Sequence, residues 1–181
     1  MESFEGLVRR VVESFNALGL DYMFTGALAV SYYGRARTTR DVDVVVAVGG
    51  EEALARLVSA LRRAGLVVDE KKLGEVLRSG YRIVTVKDGR SPLTVDVILS
   101  SERLEKRAGR ILGLPTFYQK PEDLVLAKLR MIRATVPRER ALKDVDDVKA
   151  ILKFTKVDLK TVKERARREN TLSILENIMA E

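Results

Sequence analysis

The sequence predicts an α+β fold: strands and helices mixed over residues 1–120, then a C-terminal helical region over residues 121–181. Three observations carry this expectation. Short β-branched runs alternate with amphipathic stretches of helical period through the first two thirds of the chain. From Pro121 the apolar period becomes helical and stays so to the end, which puts the domain boundary there. The 181 residues are 46% apolar and 33% charged, enough for a real core and unlike a disordered chain.

Taken in order, Phe4, Leu7, Val8, Val11, Val12, Phe15 and Leu18 fall at helical spacing, and Gly19 is a plausible stop. Tyr22–Phe24 reads as a short strand, and Gly26 opens a second helix running to about Tyr33. Residues 35–40 form a basic loop. Asp41–Val48 is a β-branched strand, closed by Gly49-Gly50, and Glu51–Ala64 is a helix ended by Gly65. Residues 66–69 suit a strand, whereas 70–79 suit loop or a short helix. Tyr81–Val86 and Leu93–Leu99 flank the turn signal Lys87-Asp88-Gly89-Arg90. Residues 101–109 read as helical, with short strands at 111–112 and 116–118. Pro121-Glu122-Asp123 starts a helix that reaches about Ala134, with Pro in the first turn and acids at the positive dipole end. Pro137 breaks it. A helix over 138–154 and one or two more within 158–180 complete the chain.

Composition removes several chemistries. With no Cys, thiolate sites and disulfides are excluded; with no His, so are Ser-His-Asp triads and the usual zinc sites. Acid-base or metal chemistry must use Asp, Glu, Lys or Tyr. No apolar run approaches the roughly 20 residues that span a bilayer, and the acidic start lacks a signal peptide's basic region, so a cytoplasmic protein without a membrane partner is expected. High charge without Cys, His or Trp fits a heat-adapted protein. Residues 1–100 carry 14 Lys and Arg against 13 Asp and Glu; residues 101–181 carry 19 against 13. That positive excess suits a phosphate-bearing partner such as RNA, and equally suits solvated helix faces.

Chemistry concentrates at Asp41-Val42-Asp43. Strand side chains alternate, so Asp41 and Asp43 point the same way. Two such acids also describe the solvent face of a half-buried strand. Burying them uncompensated costs several kcal/mol each, and a divalent cation relieves that cost. Mg²⁺ (or Mn²⁺) takes one or two carboxylates together with substrate phosphates. Asp96, in Thr94-Val95-Asp96-Val97-Ile98, is a third acid inside an apolar strand; if the two strands are neighbours, three carboxylates converge. Upstream, Gly26 follows a strand and starts a helix, whose unpaired N–H groups can receive phosphate. Arg35, Arg37 and Arg40 then precede the acids.

The run Thr25-Gly26-Ala27-Leu28 followed by Arg37-Thr38-Thr39-Arg40-Asp41-Val42-Asp43-Val44 resembles the signature of the nucleotidyltransferase superfamily related to DNA polymerase beta. Thirteen residues, Leu28 to Arg40, separate its two halves, as the family's spacing requires. The wider pattern is most similar to the AbiEii-type toxin nucleotidyltransferases. Pro121-Glu122-Asp123-Leu124 with Lys128-Leu129 resembles the helix carrying their functional Lys, and Lys143-Asp144 with Asp147-Val148 resembles their later Lys-Asp-x-x-Asp helix. Taken alone, Lys128 also fits an exposed helix lysine, and Asp144 and Asp147 fit a solvated helix face or salt bridges.

The resemblance implies a nucleotidyltransferase-type mixed β-sheet flanked by helices, and an NTP donor such as ATP. Asp41 and Asp43 would hold the metal on the triphosphate. Asp96 would hold a second metal or accept the proton of the incoming hydroxyl, which attacks the α-phosphorus and expels pyrophosphate. Gly26, Ala27, Arg37, Arg40, Lys128 and Asp144 would bind the nucleotide. A tRNA or other RNA acceptor and an antitoxin partner follow by the same analogy. Ala27 departs from the family's Gly or Ser: it keeps a backbone N–H but loses a hydroxyl to the triphosphate. That opens a second reading, a catalytically weak nucleotide- or RNA-binding module. A glycosyltransferase also uses D-x-D with a metal, but the short chain and the Gly26 element argue against it.

Overall fold

Val42, Val44 and Val46 point to one side of a strand and are fully buried, while Asp41, Asp43 and Val45 between them are exposed or half-buried. That alternation builds the centre of the molecule's sheet. A computed structural model describes residues 2–80 and 82–181. The strands are β1 (Tyr22–Phe24), β2 (Asp41–Ala47), β3 (Leu66–Val67), β4 (Ile83–Asp88), β5 (Thr94–Ser100), β6 (Lys106–Ile111) and β7 (Leu114–Gln119). Among the described residues they form one seven-stranded sheet in the order β3-β4-β5-β2-β1-β7-β6. It is mixed: β2 runs parallel to β5 and β1 parallel to β7, whereas β1–β2, β3–β4 and β4–β5 are antiparallel.

Eight α-helices accompany the sheet among the described residues: α1 (Phe4–Ala17), α2 (Gly26–Tyr33), α3 (Glu51–Arg63), α4 (Glu70–Ser79), α5 (Pro121–Ala134), α6 (Leu142–Phe154), α7 (Leu159–Arg168) and α8 (Leu172–Ala180). None among the described residues is long and apolar enough to cross a membrane. The chain divides into two compact units. The strand unit comprises Met1–Leu28 and Thr38–Tyr118; the helical unit comprises Ala29–Arg37 and Gln119–Glu181. So α2 begins in the first and ends in the second.

The strand unit is cored by Leu7, Val11 and Phe15 of α1, Leu57 and Leu61 of α3, and the inward valines of β2 and β5. Each fully buried Val or Leu contributes roughly 1.5–3 kcal/mol over leaving it in water. Phe15 meets Tyr22 edge-on at 5.2 Å between ring centroids. The Tyr22 hydroxyl lies 2.9 Å from both the Asn16 side-chain oxygen and Thr116 Oγ1, so this buried phenol keeps polar partners.

The helical unit is organised by α5. Leu124, Val125, Leu126 and Leu129 are buried, as are Val148 and Ile151 of α6, Val162 of α7 and Leu175 of α8. Pro121 occupies the first turn of α5, and Glu122 and Asp123 follow it, as the sequence predicts. Both acids also bind within the unit: Glu122 accepts the Asp158 backbone N–H at 2.9 Å, and Asp123 accepts from Arg165 at 2.5 Å.

Two segments differ from expectation. Residues 101–109 read as helical, but Lys106–Ile111 is the edge strand β6. Helix propensity amounts to tenths of a kcal/mol per residue, and tertiary pairing overrides it. Here Lys106 Nζ binds Asp21 at 2.6 Å and lies 4.0 Å from the centre of the Phe117 ring, while the backbone pairs with β7. Residues 70–79 are the full helix α4, capped by Asp69, whose side chain accepts the Lys72 N–H at 3.0 Å. Tyr81, where the sequence starts a strand, lies outside the described residues; β4 begins at Ile83.

Candidate active site

In the strand unit, β2 and β5 are neighbours, which meets the condition for three acids to share a face. Asp43 stands directly opposite Asp96, and Asp41 opposite Thr94. Asp41 is exposed at the strand's start; Asp43 and Asp96 are half-buried. Each sits among valines whose side chains go to the other face, so the β-pleat sets the acids on one face of the sheet. Thr94 Oγ1 donates to Asp41 Oδ1 at 2.7 Å, and Thr85 Oγ1 donates to Asp96 Oδ1 at 2.6 Å. Thr39 secures the entry to β2: its hydroxyl donates to the Asp41 backbone oxygen at 3.0 Å and lies 3.3 Å from the Asp41 backbone nitrogen.

Gly26 stands against this face. The Thr25 N–H donates to the Asp43 backbone oxygen at 3.0 Å, carrying the β1–β2 pairing up to the start of α2. Gly26 then adopts φ +57°, and a Cβ placed there would lie 2.2 Å from Asp43 Oδ2. Both the left-handed backbone and the close approach demand glycine. The first turn of α2 thus begins beside a carboxylate of the D-x-D pair. Ala27 follows with its methyl buried. Arg40 is exposed, immediately before Asp41.

The donor set fits a hard divalent cation. It consists of carboxylate oxygens only, on adjacent strands, without the nitrogen or sulfur that would favour zinc. Among the described residues no group of three or more acidic side chains is drawn together tightly enough to hold an ion by itself. Mg²⁺ commonly needs only one or two carboxylates, its remaining positions going to water and substrate phosphates.

The helical unit holds the remaining expected residues. Lys128 Nζ lies 2.7 Å from Asp144 Oδ1 and 2.9 Å from Asp147 Oδ2. Arg37 joins the same Asp147 oxygen, and its backbone N–H donates to Ser31 Oγ at 3.3 Å. Asp147 is buried, and the Nε of Arg37 is buried without a hydrogen-bond partner among the described residues. Arg37, Lys128 and Asp144 are therefore gathered into one ion-paired cluster, with Asp147 at its centre.

Sequence reasoning left out the roles of Thr85 and Thr94, and it offered salt bridges at Asp147 without naming their partners. Thr94 lies two residues before Asp96, hence on its face, which is a readable signal. Thr85 carried none until strand register was known. Asp147 stood in the quoted helix motif, but its burial between two cations is a tertiary fact.

Several solved structures share this fold. The solution structure of the antibiotic-resistance factor ANT(2'')-Ia is 14% identical, with a TM-score of 0.64 over 96% of this chain and 95% of that one. The crystal structure of ANT(2'')-Ia in complex with adenylyl-2''-tobramycin is 13% identical, with a TM-score of 0.66 over 92% and 98%. The lincomycin-bound lincosamide antibiotic adenylyltransferase LnuA is 10% identical, with a TM-score of 0.54 over 82% and 98%. At these identities the likeness speaks for the fold, which is of nucleotidyltransferase type, as the sequence predicts. No curated protein matches the sequence. The family model for the nucleotidyl transferase AbiEii toxin of type IV toxin–antitoxin systems matches residues 9–177. The chain belongs to that family.

Proposed function

We propose that the protein transfers an NMP from an NTP to a hydroxyl acceptor, with release of pyrophosphate, in a reaction that depends on Mg²⁺ or Mn²⁺. The observation that carries this reading is the start of α2, pressed at Gly26 against Asp43, on a face shared with Asp41 and Asp96. Asp41 and Asp43 would hold the metal that accompanies the triphosphate. When bound, that ion would neutralise phosphate charge and act as a Lewis acid on the phosphoryl oxygens. Backbone N–H groups at Gly26 and Ala27 would seat phosphate oxygens at the positive end of α2. Asp96 would take the proton from the acceptor hydroxyl as its oxygen bonds to the α-phosphorus and the bond to pyrophosphate breaks. Arg40 would offset negative charge on the triphosphate. By the resemblance of their motifs, Arg37, Lys128 and Asp144 of the helical unit are further candidates for nucleotide binding.

For the acceptor this reading favours an RNA hydroxyl, such as a tRNA end, supported by the family and by the positive excess of residues 101–181. A partner antitoxin and a cytoplasmic setting belong to the same reading, with residues 1–120 as the nucleotidyltransferase domain and 121–181 as its helical region. Incubation with labelled NTPs, Mg²⁺ and total cellular RNA tests it. Label should move to RNA with wild type and not with Asp43→Ala; equal labelling by the two would sink the reading.

Ala27 favours a second reading. Ala27 is buried and carries no hydroxyl at the position where the resemblance expects Gly or Ser, which fits a nucleotide- or RNA-binding module with little turnover. Calorimetry showing metal-dependent NTP binding, beside an absence of label transfer, would select it.

A further inference from the structure

Asp41 and Asp96 are each held at one oxygen by a threonine from the neighbouring strand. Thr94 sits directly across from Asp41 on the β2–β5 pair, and Thr85 directly across from Asp96 on the β4–β5 pair. The donor–acceptor distances of 2.7 and 2.6 Å fall in the range of hydroxyl bonds to an ionised carboxylate. We infer that Thr94 and Thr85 are positioning residues of the carboxylate face. Thr94 fixes Asp41 for binding of metal and nucleotide, and Thr85 fixes Asp96 for the transfer step. This rests on the nucleotidyl-transfer reading given above.

The physical case begins with repulsion. Three carboxylates on adjacent strands favour rotamers that turn away from one another into solvent. A clamp is needed that does not cancel their charge, because that charge is what a cation requires. A lysine or arginine would hold the acids and neutralise them together. A hydroxyl has one proton to donate and no net charge. Bonded to one oxygen, it fixes the plane of the carboxylate and leaves the other oxygen for a ligand. Threonine suits the task better than serine on a strand, because its branched Cβ restricts χ1 and less freedom is lost on forming the bond. The register then sets each hydroxyl opposite its acid through the backbone ladder itself.

The two bonds serve different acids, so they separate by experiment. Thr94→Val and Thr85→Val keep the shape and the branched Cβ but remove the proton donor; Thr94→Ser and Thr85→Ser restore it. Mn²⁺ binding is followed by electron paramagnetic resonance with a non-hydrolysable NTP analogue, and transfer by single-turnover labelling of total cellular RNA. Thr94→Val should weaken Mn²⁺ binding about 10-fold, the size usual for a partner that orients a metal ligand. Thr85→Val should leave Mn²⁺ binding at the wild-type level and slow single-turnover transfer about 10-fold. The serine variants should recover most of each loss. Wild-type behaviour of both valine variants overturns the inference, as does any other split between the two readouts. The Asp43→Ala control keeps the two levels apart. If it transfers label like wild type, the nucleotidyl-transfer reading falls; if it is inactive while both valine variants are unchanged, only the role of the threonines falls.

Discussion

In the strand unit, Asp41 and Asp96 meet the neutral hydroxyls of Thr94 and Thr85. In the helical unit, Asp144 and Asp147 meet the ammonium of Lys128 and the guanidinium of Arg37. The first arrangement orients anions and preserves their charge; the second cancels it. An anion kept charged and oriented on a sheet face is poised for a cationic ligand. A buried anion matched by two cations is a structural tie whose loss leaves unpaired charge behind. The same residue type thus does two jobs, separated by what stands opposite it. Within the strand unit, Asp88 provides an internal control. It is buried and matched by a cation: Arg10 Nη2 lies 2.9 Å from Asp88 Oδ1, and Ser91 Oγ donates to Asp88 Oδ2 at 2.6 Å. It should behave like Asp147 although it lies in the unit of Asp41.

The largest effect is expected at Asp147. Removing its carboxylate leaves Lys128 and Arg37, both mostly buried, without that partner. Asp147→Ala should cost about 3–5 kcal/mol of stability in denaturant unfolding. A loss below about 1 kcal/mol, the range of exposed pairs, would break the comparison.

Asp88 comes next. Burial alone would raise its pKa, but hydrogen bonds from Ser91 and Arg10, the Arg10 charge and the Arg90 backbone outweigh burial and hold it below the ordinary 3.8. A depressed carboxylate stabilises the fold above its unfolded value. That contribution is lost as pH falls from about 3.8 through the folded value. Asp88→Asn should therefore cost about 1.5–3 kcal/mol at neutral pH and flatten the acid limb of the stability profile. An acid limb identical to wild type would show that Asp88 is not one of the groups that drive acid unfolding.

Gly26→Ala probes the seam between sheet and helix. An L-residue at φ +57° costs about 1–2 kcal/mol, and the added methyl must also displace the Asp43 carboxylate. Transfer activity should fall further than that modest stability loss explains. Activity falling only in step with stability would remove the proposed phosphate seat.

Much of this was readable from local pattern. The β-branched run Asp41–Val48, and the run Leu93–Leu99 after the turn signal, located both acidic strands to within a residue of Asp41–Ala47 and Thr94–Ser100, and the glycine after Tyr22–Phe24 marked the start of α2. What was not readable depends on pairing across long separations. Arg37 stands four residues before Asp41, so the sequence assigned its charge to phosphate; the fold joins it to Asp147, which lies 110 residues away. Ala29–Arg37 belongs with the helices of Gln119–Glu181, a membership without local signature. Lys106–Ile111 carries helix-favouring Lys and Arg, yet its pairing with β7 prevails.

The smallest stability effect, and the sharpest test of the comparison, is Asp41→Asn. Asp41 is exposed and its partner is a hydroxyl. The asparagine carbonyl oxygen can still accept from Thr94, and repulsion among the acids on that face is relieved. Stability should stay within about 0.5 kcal/mol of wild type, while the proposed NMP transfer should disappear, because one carboxylate of the pair proposed to hold the metal has lost its charge. Paired measurement of denaturant unfolding and label transfer decides the matter. A stability loss as large as that of Asp147→Ala would mean that the sheet face, too, is a structural tie. Full stability with lost transfer would place Asp41 in the chemistry rather than the scaffold, since a neutral, isosteric change would then have removed function without loosening the fold.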